Sequence, residues 1–174
     1  MPFAMNDRVI YPAFGVGRIV GLTEKTLGSD ASQMYYEVSG DRTTAWVKVG
    51  EGEAQGLRAL TRKDQLGHFR AVLRGQPEPM NADFRKRQLA VRDQLKPGTL
   101  QCMCEVVRDL SGRSWVKTLN DSDLHMLRRS SNAIQAEWAA ADDISLAEAT
   151  AEVNGLLREG RDTYAPAPAA PAAH

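Results

Sequence analysis

The apolar positions along the chain change period once, near residue 61, and that change divides it in two. Before it, Arg8–Tyr11, Val16–Leu22, Met34–Val38 and Thr43–Val49 alternate in the strand manner and are rich in Val, Ile, Tyr, Thr and Trp. A period of two sends alternate side chains to opposite faces of a strand, where β-branched and aromatic groups pack well. Turn formers separate the runs at Pro12–Gly17, Gly28–Asp30 and Gly40-Asp41. Four or five short strands with no helix between them predict a small, strongly bent antiparallel barrel.

From Thr61 onward the period is helical. Thr61 is placed to cap a first helix, with Asp64 three residues on and Leu66, Phe69, Val72 and Leu73 along one face until Gly75. Pro77 and Pro79 interrupt the pattern and predict a hinge or rigid turn over Gln76–Met80. Further helices are expected over Asp83–Leu95, stopped by Pro97-Gly98, and over Thr99–Leu110, with Leu100, Met103, Cys104 and Val107 aligned. One more runs from about Ser122 to Ala141, burying Leu124, Leu127, Ile134 and Trp138. The last starts at a capping box, Ser145 with Glu148, and buries Ala149, Val153 and Leu156. The fold class is therefore α+β, a small antiparallel β-barrel over residues 1–60 followed by an all-α bundle over 61–163. Residues 164–174, almost wholly Ala and Pro, form a tail with too little side chain to pack and are expected to be disordered.

Charge matters by its distribution. The 174 residues carry 22 basic and 22 acidic side chains, so the whole chain has no net attraction for a polyanion. Residues 1–62 hold seven of each, 63–129 hold thirteen basic against eight acidic, and 130–174 hold two against seven. A basic middle suits phosphate contact if the fold gathers it on one face, and a solvated helix surface if it does not. No apolar run approaches the roughly 18 residues of a membrane span, and the N-terminus lacks the pattern of a signal peptide, so a cytoplasmic protein with no membrane partner is expected.

Catalytic and metal-binding patterns are weak. His68, His125 and His174 are far apart, and Cys102 and Cys104 supply two thiols where a structural zinc site wants four ligands. Both cysteines sit in an apolar helical stripe and read as reduced, packed thiols, with a thiol-dependent redox sensor as a remote alternative. Gly15-Val16-Gly17 lacks the Gly-Lys-Ser/Thr ending of a phosphate loop and runs into a strand, so it reads as a tight turn. No enzyme, cofactor or metal site is expected. Binding is better represented by Phe84-Arg85-Lys86-Arg87, an aromatic ring beside three cations just after the prolines. At the start of a helix the cations can hold phosphates while the ring wedges at the minor groove. A core phenylalanine among solvated charges is the competing reading.

The order of these segments resembles the CarD/CdnL family of bacterial transcription regulators. The most specific stretch is Asp7-Arg8-Val9-Ile10-Tyr11-Pro12-Ala13-Phe14-Gly15-Val16-Gly17-Arg18-Ile19-Val20-Gly21. Met34-Tyr35-Tyr36-Glu37-Val38, Gly56-Leu57-Arg58 and Cys104-Glu105-Val106-Val107-Arg108-Asp109-Leu110 follow in the family's order, and the likeness spans about Met5 to Leu157. It implies a Tudor-like β domain that docks on the β subunit of RNA polymerase, through Lys25, Trp46 and Leu57. It further implies a helical domain that reaches promoter DNA at the upstream edge of the bubble, where a tryptophan wedge stabilises the open complex. Counted back from Pro97-Gly98, Phe84 stands at the wedge position, with Arg85, Lys86 and Arg87 as the basic stretch. Two departures follow: phenylalanine lacks the indole N–H, and Trp46 stands where the family often has a basic residue.

The expectation is thus a non-catalytic, monomeric regulator, cytoplasmic and associated with the bacterial nucleoid, that grips RNA polymerase and touches DNA weakly and without sequence preference. The alternative is a polymerase-binding module that recruits or excludes another protein without touching DNA.

Overall fold

A computed structural model describes residues 2–26, 28 and 31–165. The expected tail beyond Ala165, with His174, and most of the Gly28–Asp30 turn lie outside the described residues.

Five strands, β1 (Arg8–Tyr11), β2 (Gly15–Lys25), β3 (Gln33–Ser39), β4 (Thr44–Lys48) and β5 (Arg58–Ala59), form one antiparallel sheet in the order β4-β3-β2-β1-β5. Tyr11 pairs with Gly15 across a tight turn in which Gly15 takes φ 84°, a conformation that favours glycine. The register slips between Ile19 and Gly21, a β-bulge that bends the long central β2, which pairs with β1 on one side and β3 on the other. Val9, Ile19, Tyr36, Val38, Val47 and Leu57 close the core on its inner side.

Five helices follow: α1 (Leu66–Arg74), α2 (Phe84–Leu95), α3 (Leu100–Val116), α4 (Asp121–Asp142) and α5 (Leu146–Asp162). Asp83, Thr99, Asn120 and Ser145 cap α2 to α5, each accepting a hydrogen bond from the backbone N–H three residues on, at 2.9, 3.3, 2.9 and 3.1 Å. Thr61 does not cap. The turn before α1 is a 3-10 segment, Lys63–Gln65, and the Thr61 hydroxyl instead donates to Glu137 at 2.6 Å, because a buried carboxylate is the stronger acceptor within reach.

The main helical core joins α1, α3, α4 and α5 through Leu66, Leu73, Leu100, Cys104, Val107, Ile134, Trp138, Ala149, Val153 and Leu156. Each large aliphatic among them contributes about 1.5–3 kcal/mol by leaving water. Leu124, expected inside, is half-buried; Asp123 takes the enclosed position beside it. Helix α2 stands outside this core and packs on α3 through a smaller cluster of Val91, Val106 and Leu110. The proline-rich segment before α2 crosses α3 at Gly112, where a Cβ would come within 2.2 Å of Pro77 Cγ. Helix α3 therefore runs past the expected end at Leu110, its small residues leaving a notch for the strap.

Candidate functional site

Phe84 is the first residue of α2, and Asp83 caps the helix immediately before it. Its ring is 43% exposed, large for an aromatic side chain, so the core reading of Phe84 does not hold. The next three residues advance about 100° each around the helix and cannot all face solvent. Arg85 and Lys86 are exposed, whereas Arg87 turns inward and is 3% exposed. Its guanidinium lies 2.8 Å from Asp123 and donates Nη1 to the carbonyls of Asn81 and Ala82 at 2.9 and 3.2 Å. Arg87 is therefore removed from the expected set of phosphate contacts, since its donors are spent on holding α2, α4 and the end of the strap together.

The acidic end of the chain has a partner for most of its charges. Glu137 binds Arg58, Asp142 binds Lys63 and Arg70, Asp143 binds Arg8, and Glu152 binds Arg70. Among the described residues, Arg85, Lys86 and Arg92 of α2 and Arg128 and Arg129 of α4 are exposed cations in no salt bridge, as are the scattered Arg18, Lys117, Arg158 and Arg161. Gln88 and Arg92 share one small hollow with Ser122 and Met126, so the exposed flank of α2 adjoins the first turns of α4. Arg129 continues that α4 stripe, since residues 122, 126 and 129 fall on one helix face. A chain with no net charge thus carries a local cationic ridge headed by Phe84. Sequence reasoning missed Arg92, Arg128 and Arg129; the spacing of 85, 88 and 92 was the available signal, but nothing linear placed α4 beside α2.

On the outer face of the sheet, Trp46 lies opposite Glu37 and is 49% exposed. Lys25 Nζ sits 3.4 Å from the centroid of the Trp46 ring, a cation–π contact between β2 and β4. The structure therefore brings together two of the three residues expected to grip a protein partner. Leu57 is not with them: at 1% exposure it is enclosed in the core of the sheet with Val9 and its neighbours, just before β5, where its backbone N–H donates to the Gly52 carbonyl at 2.8 Å. It is a packing residue and is dropped from the candidate contact surface.

Cys102 and Cys104 are both buried and free. Burial, with Glu137 nearby, pushes the Cys104 thiol up to about 12, which suppresses the thiolate that redox and metal chemistry need. Burial also raises the Asp109 carboxyl, although Arg108 and the backbone N–H of Glu78 donate to it. His68 pairs with Gln101, 2.6 Å away, and His125 is exposed. Among the described residues no three His, Cys, Asp or Glu side chains are grouped to hold a metal ion, and no helix is long and apolar enough to cross a membrane.

Residues 69–154, which include every helix that builds the ridge, match the family described as CarD, C-terminal domain. The chain is also 27% identical over 126 residues to YdeB of Bacillus subtilis (strain 168), whose name assigns it provisionally as a transcription factor. That likeness covers 72% of this chain and 82% of YdeB. The helices matched in this way agree with the motif order of the β segment: residues 69–154 are similar to the CarD C-terminal domain, and the chain as a whole resembles the CarD/CdnL family.

Proposed function

We propose that this protein is a non-catalytic regulator of transcription that binds the β subunit of RNA polymerase with its β domain, residues 1–60. Its helical domain, 61–163, is then held beside promoter DNA at the upstream edge of the bubble. Lys25 and Trp46 form the polymerase contact, Phe84 wedges against the minor groove, and Arg85 and Lys86 hold phosphates. Arg92 and Arg129 extend the cationic surface toward the flanking duplex. The protein acts as a monomer in the cytoplasm, on the nucleoid, and needs no cofactor.

The observation that carries this reading is the exposed Phe84 ring at the head of a helix whose neighbouring cations, Arg85 and Lys86, are in no salt bridge. The Phe84 ring stays exposed at a cost in solvation although the Arg87 guanidinium lies 6.0 Å from its centroid, and cations in no salt bridge are ready to release counterions from a phosphate backbone. Five or so contacts give weak affinity alone; tethering to polymerase makes the encounter intramolecular and supplies the missing effective concentration.

The test is the lifetime of the open complex on a bacterial promoter with purified polymerase. Wild type is expected to lengthen it and Phe84→Ala to bind polymerase without lengthening it. Equal lifetimes with wild type and Phe84→Ala remove the wedge.

One observation favours a second reading. Leu89 is 58% exposed on the outer face of α2, an apolar group of the kind that protein partners cover. A recruitment module would use it in place of DNA contact. In that case Leu89→Ala abolishes the effect on transcription, and Arg85→Ala with Lys86→Ala leaves it intact.

A further inference from the structure

Between sheet and helices runs one strong polar tie. Arg58 leaves β5, whose backbone is held by pairing to β1, and its guanidinium meets Glu137 of α4 in a two-pronged contact: Nη1 to Oε1 and Nη2 to Oε2, both 2.7 Å. Glu137 is 1% exposed. Its Oε1 also accepts the Thr61 hydroxyl at 2.6 Å and the Thr61 backbone N–H at 3.3 Å, so the carboxylate gathers both sides of the chain's crossing from strand to helix. The third arm of the same side chain, Nε, donates to the carbonyl of Gly98 at 2.8 Å. Gly98 lies in the turn that ends α2, where its own N–H returns to Leu95. Among the described residues the other ion pair between the two parts, Arg8 with Asp143, joins a 79% exposed carboxylate and holds little.

One planar side chain therefore touches the β core's last strand, the centre of α4 and the base of α2. Phe84 stands at the opposite end of α2, about 17 Å away at 1.5 Å per residue. At that distance a small tilt at the turn moves the ring by ångströms, enough to miss a groove.

We propose that Arg58 is a positioning residue, a ruler that fixes the distance and angle between the polymerase-gripping face of the sheet and the Phe84 end of α2. It touches neither partner. The proposal rests on the proposed function for its consequence, but the geometry it asserts belongs to the free protein. Arg rather than Lys is required, because only a planar fork meets two carboxylate oxygens in parallel while its Nε reaches a third acceptor.

The test uses the full chain with Arg58→Lys, which keeps the positive charge beside buried Glu137 and loses the fork. Spin labels are placed at Thr44→Cys on β4 and Asp93→Cys on α2; Cys102 and Cys104 are buried and take no label. Wild type is expected to give one narrow distance distribution, and Arg58→Lys one at least twice as broad, with each half's circular dichroism unchanged. With polymerase, the variant is expected to bind within twofold of wild type and to lose tenfold or more of the lengthening of the open-complex lifetime. A narrow distribution in Arg58→Lys overturns the proposal, and so does a broad one with the full lifetime retained. If wild type itself does not lengthen the lifetime, the transcription reading fails, while the distance distributions still decide whether Arg58 sets the spacing. Should Arg58→Lys not fold, Thr61→Val carries the same test: it removes one donor to Glu137, and a smaller broadening is expected.

Discussion

Arg87 Nε and Nη2 meet a single oxygen, Oδ2 of Asp123, at 2.9 and 2.8 Å, with the two side chains 4% and 3% exposed. A cation that reads in sequence as the third member of a basic run is thereby a tie between α2 and α4. Replacing Arg87 by Ala leaves Asp123 enclosed without its counter-charge, and breaking such a pair costs about 3–5 kcal/mol. Arg85→Ala and Lys86→Ala are expected to stay within about 0.5 kcal/mol of wild type, as exposed substitutions do. Urea unfolding of the three variants checks this. The functional losses should run the other way: Arg85→Ala and Lys86→Ala weaken the salt-sensitive part of the DNA contact without unfolding anything.

Trp46 and Leu57 separate in the same manner. Trp46→Ala should leave the melting temperature nearly unchanged and reduce polymerase affinity by about 2 kcal/mol or more, the loss typical of an aromatic anchor. Leu57→Ala should cost about 2–5 kcal/mol of stability through the cavity it opens in the sheet's core. Calorimetry and titration against the isolated β-subunit lobe distinguish the two. A Leu57→Ala variant that is fully stable yet fails to bind would return Leu57 to the contact surface.

Gly112 faces Pro77 so closely that a methyl group there meets the ring at 2.2 Å. Gly112→Ala must push the strap away from α3 or bend the helix, at about 1–3 kcal/mol. The strap leads directly to Asn81 and Ala82, which Arg87 holds, so displacement is expected to alter the chain entering α2 as well. Amide hydrogen exchange over residues 76–83 should accelerate in Gly112→Ala while α5 keeps its protection.

The Cys104 thiol gives a pH dependence with a definite sign. Its folded value is raised from 9.0 to about 12 by burial, so the folded state keeps the proton over a range in which the unfolded chain loses it. The stabilisation is whole below about pH 9 and is lost as pH rises toward 12. The stability difference between wild type and Cys104→Ala should shrink over that range by at most about 1.4 kcal/mol per pH unit. A difference that stays flat means the thiol is not held from solvent. Below pH 9, modification by a thiol reagent should proceed only as fast as the helical part opens.

Local patterns account for much of this architecture. The change of period at residue 61, the strand runs, the cap at Ser145 and the stop at Gly75 all correspond to structure, since each depends on neighbours within a turn or two of chain. The stripe Leu100, Met103, Cys104 and Val107 faces the core for the same reason. Motif order was enough to point to the family, and the matched region from 69 to 154 agrees with it.

What the linear pattern left open were questions of partnership. Thr61 has the chemistry of a cap and Arg87 that of a phosphate ligand, and both were claimed by carboxylates, Glu137 and Asp123, 76 and 36 residues away. Leu57 and Trp46 are both large and apolar, yet the fold encloses Leu57 in the core of the sheet and leaves Trp46 on the outer face under Lys25. The acidic end of the chain, without evident purpose as composition, pairs with Arg8 and Arg58 of the sheet, Lys63 of the 3-10 turn and Arg70 of α1, while Arg85, Lys86, Arg92, Arg128 and Arg129 stay exposed and in no salt bridge. By itself the sequence determined where strands and helices lie, because hydrophobic period and capping act over a few residues. Only the tertiary structure decided which charges are spent inside and which remain for a ligand, because an ion pair depends on separation in space and exclusion from water, and both are set by packing between distant segments.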